Sequence, residues 1–180
     1  TGGYQNYEFA TPGRRVLAKF DYNLNSRNKL TFRYNQLDSS TDVLLSNSAS
    51  LGFGNRRTNT LGLNYEASNY SILENLKSGV GELNTIIGTT MANSLIVGYN
   101  QSDESRGYKS PLFPLVDIEK DGSTYTSFGF EPFTPNNELR YKSLQVVNNL
   151  TLYGDRHDWT FGAAVERYNS ENVFFSGSQS

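Results

Sequence analysis

The sequence contains no cysteine, a single histidine and no long apolar run, and each absence removes a class of function. Without cysteine, disulfides and thiolate metal sites are excluded. The histidine, His157, lies in a short polar turn and has no partners at the spacing of a zinc site or a catalytic triad. No stretch of about 18 apolar residues is present, so the sequence predicts no transmembrane helix.

A strong charge of one sign is also missing. The net charge of −2 provides no overall basic field that would recruit nucleic acid or anionic lipid. The sequence shows no glycine-rich phosphate loop, no nucleophile elbow and no paired-carboxylate signature. We therefore predict no nucleic-acid partner, no cofactor, no metal, no catalytic residues and no enzymatic activity.

Two alternating runs around a polar break, within residues 16–34, carry the clearest structural signal. One face of the pattern is apolar and aromatic: Val16, Ala18, Phe20, Tyr22 and Leu24, then Leu30, Phe32 and Tyr34. The other face is charged and amide-rich, with Lys19, Asp21 and Arg33. A period of two places successive side chains on opposite sides of a strand, so these residues predict a β-hairpin. Its turn is the segment 25–28, which is rich in turn-forming residues.

The same alternation recurs along the chain and predicts six antiparallel strands, each beside the next: 14–24, 29–37, 72–87, 94–101, 139–153 and 159–168. A switch of phase at Gly81 predicts a β-bulge in the third strand. Short turns alternate with two long polar stretches, 37–58 and 102–137, which we predict to be loops at one end of the sheet. The five prolines all lie outside the predicted strands.

Two architectures fit this pattern. A soluble sheet would turn its apolar face to a dry core, whereas a membrane barrel turns that face to lipid. The alternation of short and long connections favours the barrel, and charges on the opposite face suit a water-filled lumen: Lys19, Asp21, Arg33 and Glu166. Tyr22 and Trp159 near the turns, and Tyr34 and Tyr99 toward the loops, occupy the positions of interfacial aromatic girdles. We predict an all-β, antiparallel up-and-down meander that is a segment of a transmembrane β-barrel. A soluble secreted β-sandwich that binds carbohydrate through exposed aromatics is the alternative.

The second long stretch, 102–137, contains the candidate ligand contacts. It carries six acids against three bases, together with aromatic side chains that could stack on a ligand: Tyr108, Tyr125, Phe128, Phe130 and Phe133. The same aromatics could instead pack the loop on its neighbours, which we favour.

Alternating acids followed by glycine, from Asp117 to Gly122, resemble the start of an EF-hand calcium loop. The twelfth position of that loop is Phe128 and not the bidentate glutamate that calcium needs. We therefore favour a solvated turn.

Three segments carry a resemblance to a known family: LAKFDYNLNSRNKLTFRYN (17–35), the run from NYSILENLKSGVGELNT onward (69–105), and YTSFGFEPFTPNNEL (125–139). They resemble TonB-dependent outer-membrane transporters of the Oar-like group from Bacteroidetes-type bacteria. The resemblance implies a plugged barrel of about 22 strands in the bacterial outer membrane. It also implies active uptake of a substrate captured at extracellular loops.

The sequence as given begins at Thr1, not Met, and shows neither a plug nor a TonB box. We therefore expect residues 1–180 to be one partial barrel domain, processed or cut from a longer protein. The resemblance then implies four partners: outer-membrane lipid, the remainder of the barrel, the plug, and the TonB complex reached through an N-terminal part.

Overall fold

A six-stranded antiparallel sheet dominates the computed structural model, which describes residues 2–46, 62–131 and 136–175. In chain order the strands are β1 (Gly13–Asn25), β2 (Asn28–Val43), β3 (Leu63–Asn64), β4 (Tyr70–Ile87), β5 (Met91–Tyr108), β6 (Val116–Lys120), β7 (Ser123–Phe128), β8 (Glu138–Tyr153) and β9 (Asp158–Val173). The large sheet has the order β1-β2-β4-β5-β8-β9, and a small sheet has the order β3-β7-β6. A 3-10 helix spans Glu66–Ser68. No helix in the described part of the chain is long and apolar enough to cross a membrane.

All six predicted strands are present, and the predicted meander of neighbouring antiparallel strands is confirmed. The strands that border the long loops are longer than predicted. β2 continues to Val43 and β5 to Tyr108, so the prediction that the loops begin near positions 37 and 102 is wrong. These extensions are polar on both faces, so they lack the apolar alternation that marks the rest of each strand. Pairing with β4 along the whole of both extensions, and with β8 along β5 as far as Glu104, satisfies their backbone instead.

The predicted bulge at Gly81 is wrong, because the β2–β4 pairing runs without a register shift from Asn28↔Thr85 to Val43↔Tyr70. The pleat of β4 is continuous, and the switch of phase in the sequence arises because its apolar residues lie on one face near the turn and on the opposite face farther along the strand. Near the turn they lie on the same face as Leu83, whereas farther along β4 they lie on the opposite face with Val80 and Leu76. In the large sheet the described pairing shifts register only between Asn23 and Asn25, beside the first tight turn.

Local side-chain chemistry closes that first turn. The Oδ1 atom of Asn25 accepts hydrogen bonds from the backbone N–H groups of Arg27 and Asn28, both at 2.9 Å, and from the Asn28 amide at 3.0 Å. An asparagine side chain that accepts a hydrogen bond from the backbone N–H two residues later forms an Asx-turn, which mimics a backbone turn. The chain therefore reverses within two residues, and the register of β1 on β2 is fixed there.

The register assigns each side chain to one of two faces. Cross-strand partners share a face, and one continuous row is Phe20, Phe32, Gly81, Val97, Val146 and Val165. The adjacent row, one residue along each strand, is Lys19, Arg33, Val80, Gly98, Gln145 and Glu166. We name these the Phe32 face and the Arg33 face. Leu150 and Phe161 join the first and Asn100 the second, so the predicted sidedness is confirmed.

The Phe32 face is not covered by a second sheet in the described residues. Phe20, Phe161 and Val165 are 63%, 58% and 71% exposed. The buried apolar side chains among the described residues are Leu45, Ala67 and Phe130, all at the end of the sheet that carries the long connections. A soluble sandwich would instead bury the strand phenylalanines and valines in a core.

Two asparagines on the Phe32 face satisfy each other. The Nδ2 atom of Asn93 donates to Oδ1 of Asn148 at 2.9 Å, and Nδ2 of Asn148 donates back at 3.1 Å. The Asn93 amide also donates to the backbone carbonyl of Asn149 at 3.1 Å. An otherwise apolar region therefore holds two amides without leaving them unpaired.

We expect a double-mutant cycle between Asn93→Ala and Asn148→Ala to show a coupling free energy of about 1 kcal/mol, because each single change orphans the remaining amide. The measurement is the free energy of unfolding in lipid vesicles. The control is the cycle between Asn93→Ala and Asn149→Ala, whose side chains lie on opposite faces. Equal couplings in the two cycles would mean that the reciprocal bonds contribute nothing.

Candidate functional site

The Phe32 face carries an apolar band that starts at the tight turns. On β8 its members are Leu144, Val146, Leu150 and Leu152, with Asn148 among them. At about 3.4 Å per residue these positions cover roughly 27 Å along the strand. At the turn end, Ile87, Met91, Leu152 and Trp159 form a row. At the other end, Tyr34, Gly79, Tyr99, Leu144 and Arg167 form the last row of the band.

Beyond the row of Tyr34 and Tyr99 the Phe32 face becomes polar. The tyrosine hydroxyl of Tyr34 donates to Gln36 at 2.8 Å, and Gln36 donates to Asp38 at 2.6 Å. On the same face, toward β8 and β9, Arg140 pairs with Glu138 at 2.6 Å and with Asp103 and Glu171 at 3.6 Å. The strands thus continue beyond the apolar band into a ladder of hydrogen-bonded and charged side chains.

The Arg33 face is charged at the same depth as the apolar band. Asp21 lies 3.0 Å from the Lys19 amine and 3.3 Å from the Lys29 amine, and it accepts a hydrogen bond from Thr31 at 2.6 Å. Arg33 pairs with Glu82 on β4 at 3.0 Å. These groups are partly exposed, and charges of this kind need water or one another. The two faces of the sheet are therefore suited to two different solvents.

A family model described as an outer membrane beta barrel domain matches residues 1–180. The chain belongs to this family of outer-membrane β-barrels. No curated protein and no solved structure matches it. The membership confirms the predicted barrel fold and the location in the bacterial outer membrane, and it leaves no basis for the soluble sandwich.

As an outer-membrane barrel, the chain places its Phe32 face against lipid and its Arg33 face toward the lumen. Strands of such barrels tilt by about 35–45°, so the band covers roughly 19–22 Å of the bilayer, most of the lipid-facing belt of about 25 Å. Barrels of this class have short turns on the periplasmic side and long loops outside. The polar extensions of β2, β4, β5, β8 and β9 therefore project above the outer leaflet.

The small sheet β3-β7-β6, together with the segments that pack on it, lies at that outer end of the large sheet, and we call it the loop unit. β3 pairs parallel to β7 and β6 pairs antiparallel to it. The β6–β7 hairpin turns at Asp121 and Gly122, whose φ angles of 52° and 77° are those of a two-residue hairpin turn. Asp-Gly between alternating residues is a strong hairpin signal, which the calcium-like interpretation of the same acids overlooked.

The acids of the calcium-like motif lie on a strand and not around a loop. Asp117 accepts a hydrogen bond from the hydroxyl of Ser127 on β7 at 2.7 Å, and Glu119 follows two residues along β6. No group of three metal-ligating side chains occurs in the residues that the structure describes. The motif thus forms a hairpin and does not take the shape of an EF-hand loop.

Aromatic rings hold the loop unit together. The ring of Tyr65 meets those of Tyr4 and Phe128 edge-on, at centroid distances of 5.7 and 6.2 Å. Tyr108, at the end of β5, lies 4.6 Å from Phe130, and its hydroxyl accepts a hydrogen bond from the Asn136 N–H at 2.9 Å. Offset and edge-on pairs of this kind stabilise beyond their buried area.

The five candidate ligand contacts therefore differ in availability. Phe130 is only 7% exposed and packs inside the loop unit, and the ring of Phe128 packs edge-on against Tyr65. Tyr108 is partly exposed. Tyr125 is 47% exposed, with the Lys120 amine 5.9 Å from its ring centre. Phe133 lies outside the described residues. Ligand contact stays a prediction, and among the described candidates Tyr125 is the most open to a ligand.

A carboxylate network that the sequence analysis missed fastens the loop end to the sheet. Asp42, near the outer end of β2, lies 2.8 Å from the Lys109 amine. It also accepts hydrogen bonds from the Ser71 hydroxyl at 2.8 Å and from the Ala10 N–H at 3.2 Å. Lys109 above all, then the Ser71 hydroxyl and the Ala10 N–H, hold the pKa of Asp42 below its usual value against the opposing effect of burial. Its partners come from distant parts of the chain, so no local pattern signals them.

Gly129 fixes the path of the chain where β7 ends. Its φ is +111°, and a Cβ atom there would lie 2.2 Å from the carbonyl oxygen of Pro114. The next residue, Phe130, donates its N–H to the carbonyl of Phe113 at 3.1 Å. Only glycine fits this crossing of two backbone segments.

We expect Gly129→Ala to loosen the loop unit and leave the barrel intact, because the strain lies above the membrane. The measurement is proteolysis of the loops on whole cells, together with the mobility of the folded barrel in a gel without heating. Gly122→Ala is the matched control, since Gly122 also has positive φ but has open space around it. Equal protease sensitivity of the two variants would show that the contact with Pro114 is unimportant.

We expect arginine to be tolerated differently along the Phe32 face of β5. Val97 lies inside the apolar band, one row outward from its middle row, so Val97→Arg should cost about 2–4 kcal/mol of unfolding free energy in vesicles. Gln101→Arg, on the same strand and face but above the band, should cost about 0–1 kcal/mol. Phe161 lies one row from the middle on the turn side, so Phe161→Arg should cost a similar amount. Equal costs for the two β5 variants would contradict the lipid-facing assignment.

Proposed function

We propose that the chain forms part of the wall of a TonB-dependent outer-membrane receptor of the Oar-like type, and that its outer loops help to capture the substrate before active uptake. The observation that carries the proposal is the charged Arg33 face at membrane depth. The pairs Lys19–Asp21 and Arg33–Glu82 line a side of the sheet that lipid cannot solvate. They suit the wall of a wide aqueous lumen. This role is transport and not catalysis.

The edges of the sheet support a large barrel. Within the described residues β1 pairs only with β2, and β9 only with β8. Unpaired backbone groups are too costly in hydrocarbon, so both edges require further strands. We propose that the remainder of the barrel supplies them, that a plug fills the lumen, and that the TonB complex energises transport through that plug.

The loop unit sets the proposed substrate class. Residues 102–137 carry six acids and three bases, so their field favours a neutral or cationic substrate over an anionic one. Tyr125 offers an exposed aromatic ring on the β6–β7 hairpin, whose β6 strand also carries Asp117 and Glu119. The aromatic core around Phe130 and Tyr65 holds that face in place.

The test is deletion of residues 111–135 in the intact receptor, which removes the β6–β7 hairpin and keeps Lys109 for Asp42. We expect normal barrel assembly, loss of surface binding and at least about tenfold slower uptake at limiting substrate. Tyr125→Ala should lower binding with the loop fold retained, whereas Ile118→Ala on the same hairpin is the control for exposed apolar area.

Removal of TonB from the cell separates the two halves of the proposal. Uptake that stops without TonB while surface binding remains supports an energised receptor. Uptake that continues without TonB would identify a passive pore. Normal uptake after the loop deletion would contradict substrate capture by the loop unit and leave it a structural role only.

A further inference from the structure

Three cations lie together on the Phe32 face, at the upper edge of the apolar band. Lys77, Gln101, Lys142 and Asn169 are consecutive cross-strand partners in one row. Arg167 lies in the row directly below, beside Leu144. Neighbouring strands are about 4.8 Å apart, so Lys77 and Lys142 are roughly 10 Å apart at the backbone, with Arg167 diagonal to Lys142. We call these three residues the basic cluster.

No carboxylate shares the two rows of the basic cluster. Their other members are Val16, Gln36, Gln101 and Asn169 in one row, and Ala18, Tyr34, Gly79, Tyr99 and Leu144 in the other. The acids of the next row outward are engaged elsewhere: Asp103 and Glu171 with Arg140, and Asp38 with Gln36 and Asn75. Within the described part of the chain none of the three cations forms an ion pair.

The depth of the basic cluster is that of lipid headgroups. It lies at and just above the last row of the band, where Tyr34 and Tyr99 mark the interface. The rows at the opposite end of the band, those of Ile87 and Thr85, contain no lysine or arginine. The cations on the lipid-facing side are thus confined to the outer leaflet.

We infer that Lys77, Lys142 and Arg167 bind the phosphate groups of an anionic glycolipid headgroup in the outer leaflet. The chain as a whole has a net charge of −2 and does not attract anionic lipid, whereas the basic cluster, which has no acidic partner, attracts anionic headgroups locally. The cations project toward lipid and not into the lumen, so the ligand they fit is a membrane lipid and not a soluble anion. Arginine offers a bidentate fork and the lysines offer point charges to phosphate oxygens. This inference rests on the barrel and is independent of what the barrel transports.

The test uses the full-length outer-membrane protein, purified in neutral detergent and titrated with bisphosphorylated lipid A, with native mass spectrometry counting the bound lipids. The variant is K77Q/K142Q/R167Q. The control, R27Q/K120Q/R156Q, removes the same charge from two tight turns and the β6–β7 hairpin. We expect lipid A affinity to fall at least about tenfold in the first variant and to stay unchanged in the control.

Two further arms identify the ligand. Dephosphorylated lipid A should bind the wild type and the cluster variant equally, and millimolar inorganic phosphate should not displace lipid A from the wild type. If the triple variant does not assemble, Lys142→Gln alone should still weaken binding about threefold. Equal lipid A affinity in wild type and cluster variant would overturn the inference. Displacement by inorganic phosphate would show a general anion site and would overturn the lipid assignment.

Discussion

The constraint on which the structure depends is that a backbone inside a bilayer has no water to bond to. Each strand interior to the sheet therefore needs an unbroken ladder on both sides, and β4 shows it, with every residue from Tyr70 to Ile87 paired to β5. A continuous ladder fixes the pleat, and the pleat fixes the face of every side chain. That is why the absence of a bulge at Gly81 matters. A register slip there would have moved the residues of β4 beyond Gly81 to the other face, which would have turned Lys77 toward the lumen.

The membrane-spanning parts of the fold could be predicted from the sequence. Lipid on one face and water on the other impose an alternation of apolar and polar residues, which single runs such as Val16 to Leu24 show. The prediction failed where the chain leaves the bilayer. Ser39, Ser40 and residues 102–105 lie on strands with water on both sides, so no apolar alternation marks them. The pairing that holds them, such as Asp38 with Asn75 and Asp103 with Arg140, is a long-range property.

The loop unit was hidden for a related reason. Its hairpin signal, Asp121-Gly122, was visible, but the sequence analysis interpreted it only as a solvated turn and not as the turn of a β-hairpin. Its anchors were not visible at all. Asp42 meets Ser71, Lys109 and Ala10 only after the sheet has formed. Of the candidate contacts, exposure separates Tyr125 from Phe130, and exposure follows from tertiary packing and not from residue type.

The contrast between lipid on one face and water on the other also determines where the cations of this chain have acidic partners. On the Arg33 face, cations at membrane depth are paired with acids: Lys19 with Asp21 and Arg33 with Glu82. On the Phe32 face of the described strands, cations are absent from the middle of the band, and the rows that hold cations but no acid are those of Lys77, Lys142 and Arg167. A row higher, Arg140 again has carboxylate partners. Water above the band and in the lumen can solvate both members of a pair, so pairing there costs little. At the band edge the negative partner must come from the membrane itself, because no residue of the sheet supplies it.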